Sequence, residues 1–146
     1  MKLDFSQKYA VRPLTAGDVD KILALCAENE QFYRYHPPLA TRESVLEDMT
    51  ALPPGKCAAD KHYLGFFDRE TLVAVLDLIE RYPQDGTAYI GFFMTKKERQ
   101  GRGLGTALIG ELLDELRRER FRNGFALMGE EFPHGDSAYL PMERAL

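Results

Sequence analysis

Ala88-Tyr89-Ile90-Gly91-Phe92-Phe93-Met94 is followed by a polar turn, then by Gln100-Gly101-Arg102-Gly103-Leu104-Gly105-Thr106, then by an amphipathic pattern that runs to Arg122. The apolar run predicts a strand, the three glycines a tight loop and the periodic stretch a helix. A loop of small residues entering the first turn of a helix leaves several backbone N–H groups without intrahelical partners, backed by the positive end of the helix dipole. That arrangement is an anion site, and phosphate is the usual anion.

The chain around this stretch has 146 residues, 45% of them hydrophobic and 29% charged, and reads as a single domain, 1–146. No apolar segment approaches the length of a membrane span, and residues 1–8 lack an apolar leader core, so a cytoplasmic location without membrane contact is the expectation. Cys26 and Cys57 have no Cys-x-x-Cys spacing, and no His or carboxylate set has ligand spacing, so no metal is assigned. A net charge of -4 without a basic run argues against a nucleic-acid surface and mildly favours a cationic or amine partner.

Residues 9–13 predict a short first strand ending at Pro13. Thr15 and Asp18 suit a capping box for a helix over residues 16–29, with Val19, Ile22, Leu23 and Cys26 at helical spacing. Residues 31–38, Gln-Phe-Tyr-Arg-Tyr-His-Pro-Pro, predict an aromatic loop closed by two prolines. Thr41 and Ser44 cap a second helix that ends before Pro53-Pro54-Gly55. Residues 63–67, 71–79 and 87–95 then read as a three-strand antiparallel meander. In the long helix, Leu104, Leu108, Ile109, Leu112, Leu113 and Leu116 form the apolar stripe, with Glu111 and Glu115 among the polar residues around it.

A nucleotide-triphosphate loop needs Gly-Lys-Ser/Thr, and no lysine precedes Thr106; a dinucleotide loop needs a third glycine where Thr106 stands. What fits is Gln/Arg-x-x-Gly-x-Gly/Ala, supplied by Gln100, Gly103 and Gly105 directly after a strand. In this, and in the order of elements over residues 8–121, the chain resembles the GNAT superfamily of N-acetyltransferases. The resemblance implies an α/β fold with a mixed, mostly antiparallel sheet flanked by helices. It implies acetyl-CoA as cosubstrate and transfer of its acetyl group to a primary amine of a small molecule or protein. By position, Gln100, Gly101, Arg102, Gly103, Leu104, Gly105 and Thr106 hold the pyrophosphate, and the backbone of Phe93, Met94 and Thr95 pairs with the pantetheine arm.

The pattern departs from the family after the signature helix, where a further strand and a helix with a tyrosine acid normally follow. Residues 121–125 resemble the family's later Gly-Phe elbow, and residues 125–131 and 135–146 its closing hairpin. On that reading the fold is abridged near the C-terminus and one wall of the cofactor wedge is missing; either the closing hairpin slides in or a second molecule supplies the wall, and a homodimer is favoured. A catalytically weak or inactive acyl-CoA-binding or interaction protein is then the alternative function. The candidate catalytic residues are Tyr35 and His36, in the loop that walls the acceptor site in this family, and Glu80 on the meander, where Asp77 is a second carboxylate of the same kind. Aromatic packing is the alternative for Tyr35 and His36, and a solvent-facing strand position for the two carboxylates.

Overall fold

The computed structural model describes residues 1–119 together with two short strands, Ala126–Gly129 and Arg144–Ala145. In chain order these residues form β1 (Ala10–Pro13), α1 (Val19–Glu28), α2 (Glu30–Tyr35), α3 (Arg42–Thr50), β2 (Lys61–Asp68), β3 (Thr71–Glu80), β4 (Thr87–Thr95), α4 (Leu104–Glu119), β5 (Ala126–Gly129) and β6 (Arg144–Ala145). The sheet order is β1-β2-β3-β4-β5-β6; every neighbouring pair is antiparallel except β4 with β5. This is the mixed, mostly antiparallel sheet expected from the sequence.

Helix starts follow from local chemistry. Thr41 Oγ1 accepts from the Ser44 amide at 3.1 Å while Ser44 Oγ accepts from the Thr41 amide at 2.9 Å, a reciprocal cap for α3. Before α1, a 3-10 turn at Ala16–Asp18 intervenes and carries the expected Thr15–Asp18 capping box: the Asp18 carboxylate accepts from the Thr15 amide at 2.9 Å, and the Asp18 amide also donates to the Thr15 carbonyl. The aromatic segment expected as a loop is instead helix α2 up to Tyr35. Phe32 is buried there, and its burial outweighs the weak helix preference of aromatic residues; the two prolines stop the helix rather than prevent it.

Cross-strand partners share a face of the sheet and alternate residues change face. Tyr63, Asp77 and Phe92 therefore lie on one face, where Phe32 of α2 packs edge-on to Phe92 with ring centroids 6.0 Å apart. Leu64, Leu76 and Phe93 lie on the other, together with Phe66, whose ring is 5.8 Å from that of Phe5. The segment around Phe5 is fastened to α4: the Lys2 amide donates to Glu115 at 2.9 Å and the Gln7 amide to Glu111 at 3.2 Å. These two glutamates, expected among the helix's outward polar residues, instead hold the first strand's approach against α4. Helices α1 to α3 thus cover one face and α4 the other. Residues Val73, Ala74, Val75, Leu76 and Leu78 of β3 are wholly buried between them, which explains why that strand reads as an apolar run interrupted only by Asp77 before Glu80.

The closing segments pair on both sides of β5. Ala126–Gly129 pairs in parallel with β4, Thr87 opposite Ala126 through Ile90 opposite Gly129. It stands beside β4, where the missing strand was expected to leave a gap, and it also pairs antiparallel with Arg144–Ala145, so these two strands belong to the closing hairpin expected over residues 125–131 and 135–146. A four-residue strand carries no local mark of which neighbour it joins. Strand β5 thus covers β4 over residues 87–90 within the one chain. The helix expected to be lost, the elbow at residues 121–125 and most of the expected closing hairpin fall outside the described residues. Among the described residues, no helix is long and apolar enough to cross a membrane.

Candidate active site

Strand β4 carries two features that make a site. Leu78 pairs with Ile90 but Asp77 pairs with Phe92, so Gly91 is an extra residue and β4 bulges there. Among the described residues β5 pairs with β4 from Thr87 to Ile90, where the last residue of β5, Gly129, is reached. The bulge therefore follows directly on the parallel pair, one residue beyond Ile90.

Beyond Thr95 the chain turns through a 3-10 segment, Lys97–Arg99, into the glycine loop. Gly101 and Gly103 have φ of 75° and 77°, a backbone region that side chains with a Cβ enter at a cost, and the space where a Cβ of Gly103 would stand is open. The first backbone hydrogen bond of α4 runs from the Ala107 amide to the Gly103 carbonyl at 3.0 Å. Among the described residues, no backbone carbonyl accepts from the amides of residues 101–106. Six consecutive donors and the helix dipole are thus presented together at the end of β4.

Gln100 is not one of those donors. Its amide is bonded to the Lys97 carbonyl at 3.1 Å, and its side chain donates to Asn29 Oδ1 at 2.6 Å and to the Thr95 carbonyl at 2.9 Å. Asn29, buried at the end of α1, donates in turn to the carbonyls of Leu25 and Thr95. The side chains of Phe93, Met94 and Thr95 are buried, so these residues offer a ligand only their backbone. Arg102 and Thr106 are exposed.

The three candidate catalytic residues do not come together. Glu80 differs from Asp77 by three positions and so faces α4, where its Oε1 is 2.7 Å from His62 Nε2. Tyr35, 59% exposed, ends α2 on the opposite side of the sheet. The ring of His36 stacks on Phe32 at 4.8 Å, and Phe32 in turn meets Phe92, so one aromatic ring stands between His36 and β4.

The structure instead assembles a group that spacing did not reveal. Lys61 Nζ donates to Asp77 Oδ2 at 3.1 Å and lies 2.9 Å from Oδ1, off the hydrogen-bonding line to that oxygen. Both side chains are largely buried. Burial pushes the Asp77 carboxyl above the usual carboxylate range, opposed by Lys61. The carboxylate lies against the bulge, since a Cβ on Gly91 would stand 3.1 Å from Asp77 Oδ2. Lys61, Asp77 and Gly91 come from three strands and meet only through register; the sequence offered Asp77 alone, as one carboxylate among others.

A bulged strand that leads into a run of amides without backbone acceptors, at the start of a helix, suits an extended ligand ending in an anion. A sequence profile of the acetyltransferase (GNAT) family matches residues 23–130, and the chain belongs to that family. Its class of chemistry is acetyl transfer from an acyl-CoA. Similar solved structures include an acetyltransferase from Thermus thermophilus (18% identity over 90% of this chain and 81% of that one, TM-score 0.62). PaiA N-acetyltransferase from Thermoplasma acidophilum, in complex with coenzyme A, is 16% identical over 76% of this chain and 73% of that one, with a TM-score of 0.54. An acetyltransferase from Salmonella typhimurium that modifies the N-terminal serine of the 50S ribosomal subunit protein L7/L12 is 16% identical over 85% and 72%, with a TM-score of 0.61. At these identities the likeness is one of fold. No curated protein matches the sequence.

Proposed function

We propose that the protein is an acetyl-CoA-dependent N-acetyltransferase acting on a primary amine. The observation that carries this reading is the continuity of β4: past the Gly91 bulge it leads directly to the glycine loop, where the amides of residues 101–106 have no backbone acceptor at the start of α4. The amides of residues 101–106 are the pyrophosphate donors, and the backbone of Phe93, Met94 and Thr95 is the rail for the pantetheine arm. Gln100 serves by position rather than by contact, since its side chain ties the loop to Thr95 and Asn29. Acyl-CoA supplies an activated thioester carbonyl. The bulge leaves backbone groups of β4 outside the ladder near Gly91, where such a carbonyl oxygen is polarised by an N–H donor.

The test is a thermal shift with acetyl-CoA, followed by thiol release on adding amines. Acetyl-CoA is expected to raise the melting temperature, and Gly103→Glu to abolish the shift by placing a side chain and a negative charge at the anion site. A Gly103→Glu protein with unaltered affinity refutes the placement. A shift without thiol release for any amine favours the inactive acyl-CoA binder.

A further inference from the structure

Between the end of α3 and the sheet lies a cavity of about 270 Å³ that the glycine loop does not explain. Its walls are apolar or aromatic, formed by Leu52, Pro53 and Ile79 and by the rings of Tyr82 and Tyr89, which meet edge-to-face at 5.6 Å. Lys61 and Asp77 are the charged side chains of its lining, and Gly91 of the β4 bulge is part of its surface. One end of the cavity thus reaches the bulge of β4.

We propose that this cavity is the acceptor pocket for a small arylalkyl primary amine, and that Asp77 takes the proton from the amine nitrogen at the Gly91 bulge. The proposal rests on the acetyltransferase reading above. The aromatic walls suit a ring, and a cationic head is held by a carboxylate and by ring faces. A second cationic group on the ligand finds no partner along Leu52, Pro53 and Ile79 and is repelled by Lys61. Lys61 favours the ionised form of Asp77 against burial, so the carboxylate acts as a base; Oδ1, without an aligned hydrogen bond, keeps acceptor capacity. The titratable groups around Asp77 are Lys61 and Tyr63 from β2, Asp48 from α3, and Tyr82 and Tyr89 at the cavity wall, with Cys26 of α1 beyond Tyr63.

The chemistry balances without a further reagent. One proton passes from the ammonium to Asp77 and on to water. The nitrogen lone pair forms the N–C bond to the thioester carbonyl, and the C–S bond breaks with its electrons on sulfur. The thiolate then takes the second proton from nitrogen, giving amide and free thiol.

The experiment offers phenethylamine, putrescine and a short unacetylated peptide with acetyl-CoA, reading thiol release, and measures acetyl-CoA affinity by calorimetry. Phenethylamine is expected to exceed the other two by about 30-fold in kcat/KM. Asp77→Asn should lose about 100-fold in kcat/KM while binding acetyl-CoA as the parent does. The pH profile separates base from scaffold: the parent's kcat/KM levels off above the Asp77 pKa, whereas the variant's climbs about tenfold per pH unit toward the pKa of the amine, because only the free base reacts. Leu52→Trp, which leaves Asp77 in place, should raise the KM for phenethylamine about tenfold with kcat and acetyl-CoA affinity kept. Putrescine or the peptide as the better acceptor, or no acetylation of phenethylamine by a protein that binds acetyl-CoA, overturns the substrate class. A parental pH profile in Asp77→Asn overturns the base. Failure of the parent to bind acetyl-CoA overturns the reading beneath both.

Discussion

Asp77 and Glu80 sit three residues apart on β3, yet the sheet separates them. Asp77 lies under the end of α3, against the β4 bulge and beside Lys61; Glu80 lies on the α4 side and meets His62 at 2.7 Å. Both are carboxylates with a nitrogen partner, and both are largely buried. They differ in what else is near: Asp77 borders a cavity that reaches the β4 bulge, whereas Glu80 is absent from the lining of that cavity. Odd against even position on one strand decides which carboxylate is placed for chemistry and which for holding β2 to β3.

The comparison can be broken by mutation, beginning with the pair at the cavity. Lys61→Ala leaves the Asp77 carboxylate buried without its cation and is expected to cost about 3 kcal/mol of stability by urea unfolding at neutral pH. The cost should shrink on acidification, because Asp77, with its carboxyl already pushed upward by burial, escapes by taking a proton. A cost independent of pH contradicts a charged pair. Glu80→Ala removes the partner of His62 and should cost about 2 kcal/mol in the same assay. If Glu80→Ala keeps its stability and loses acetyl transfer, the roles of the two carboxylates are reversed.

Asp18 gives the smallest effect and the opposite sign. Arg12 clasps its carboxylate with two bonds of 2.9 and 2.8 Å, and the Thr15 amide adds a third, which hold the carboxyl well below the usual range. A depressed value means that the contribution is complete above the unfolded pKa, about 4, and is lost as pH falls below it. Asp18→Ala should therefore melt lower than the parent at pH 7, by about 1 kcal/mol in stability, and the two curves should converge below pH 4. Curves that stay parallel through that window exclude the ion pair as the cause.

Contiguous features were legible in the sequence. The Thr41–Ser44 cap, the meander and the apolar stripe of α4 depend on residues within a turn or a strand of each other, and the glycine loop announces itself by residues that only a positive φ requires. Features assembled across the sheet were not. Lys61 and Asp77 are 16 positions apart and meet through the pairing of β2 with β3, and Glu111 and Glu115 find amide donors more than 100 positions away. Ala126–Gly129 shows the same limit, since its parallel place beside β4 is a choice of partner rather than of conformation. The spacing of Gln100 ahead of the glycines suggests ligand contact, whereas the side chain fastens the loop from behind.

That fastening has a consequence for how the protein ages. Asn29 Nδ2 donates to two carbonyls, those of Leu25 and Thr95, while its Oδ1 accepts from Gln100. Hydrolysis of this one side-chain amide to a carboxylate changes its volume hardly at all, but it sets an oxygen against two oxygens in a buried site. A lesion of one mass unit at the end of α1 would thus loosen the loop that follows β4, without touching a residue of that loop.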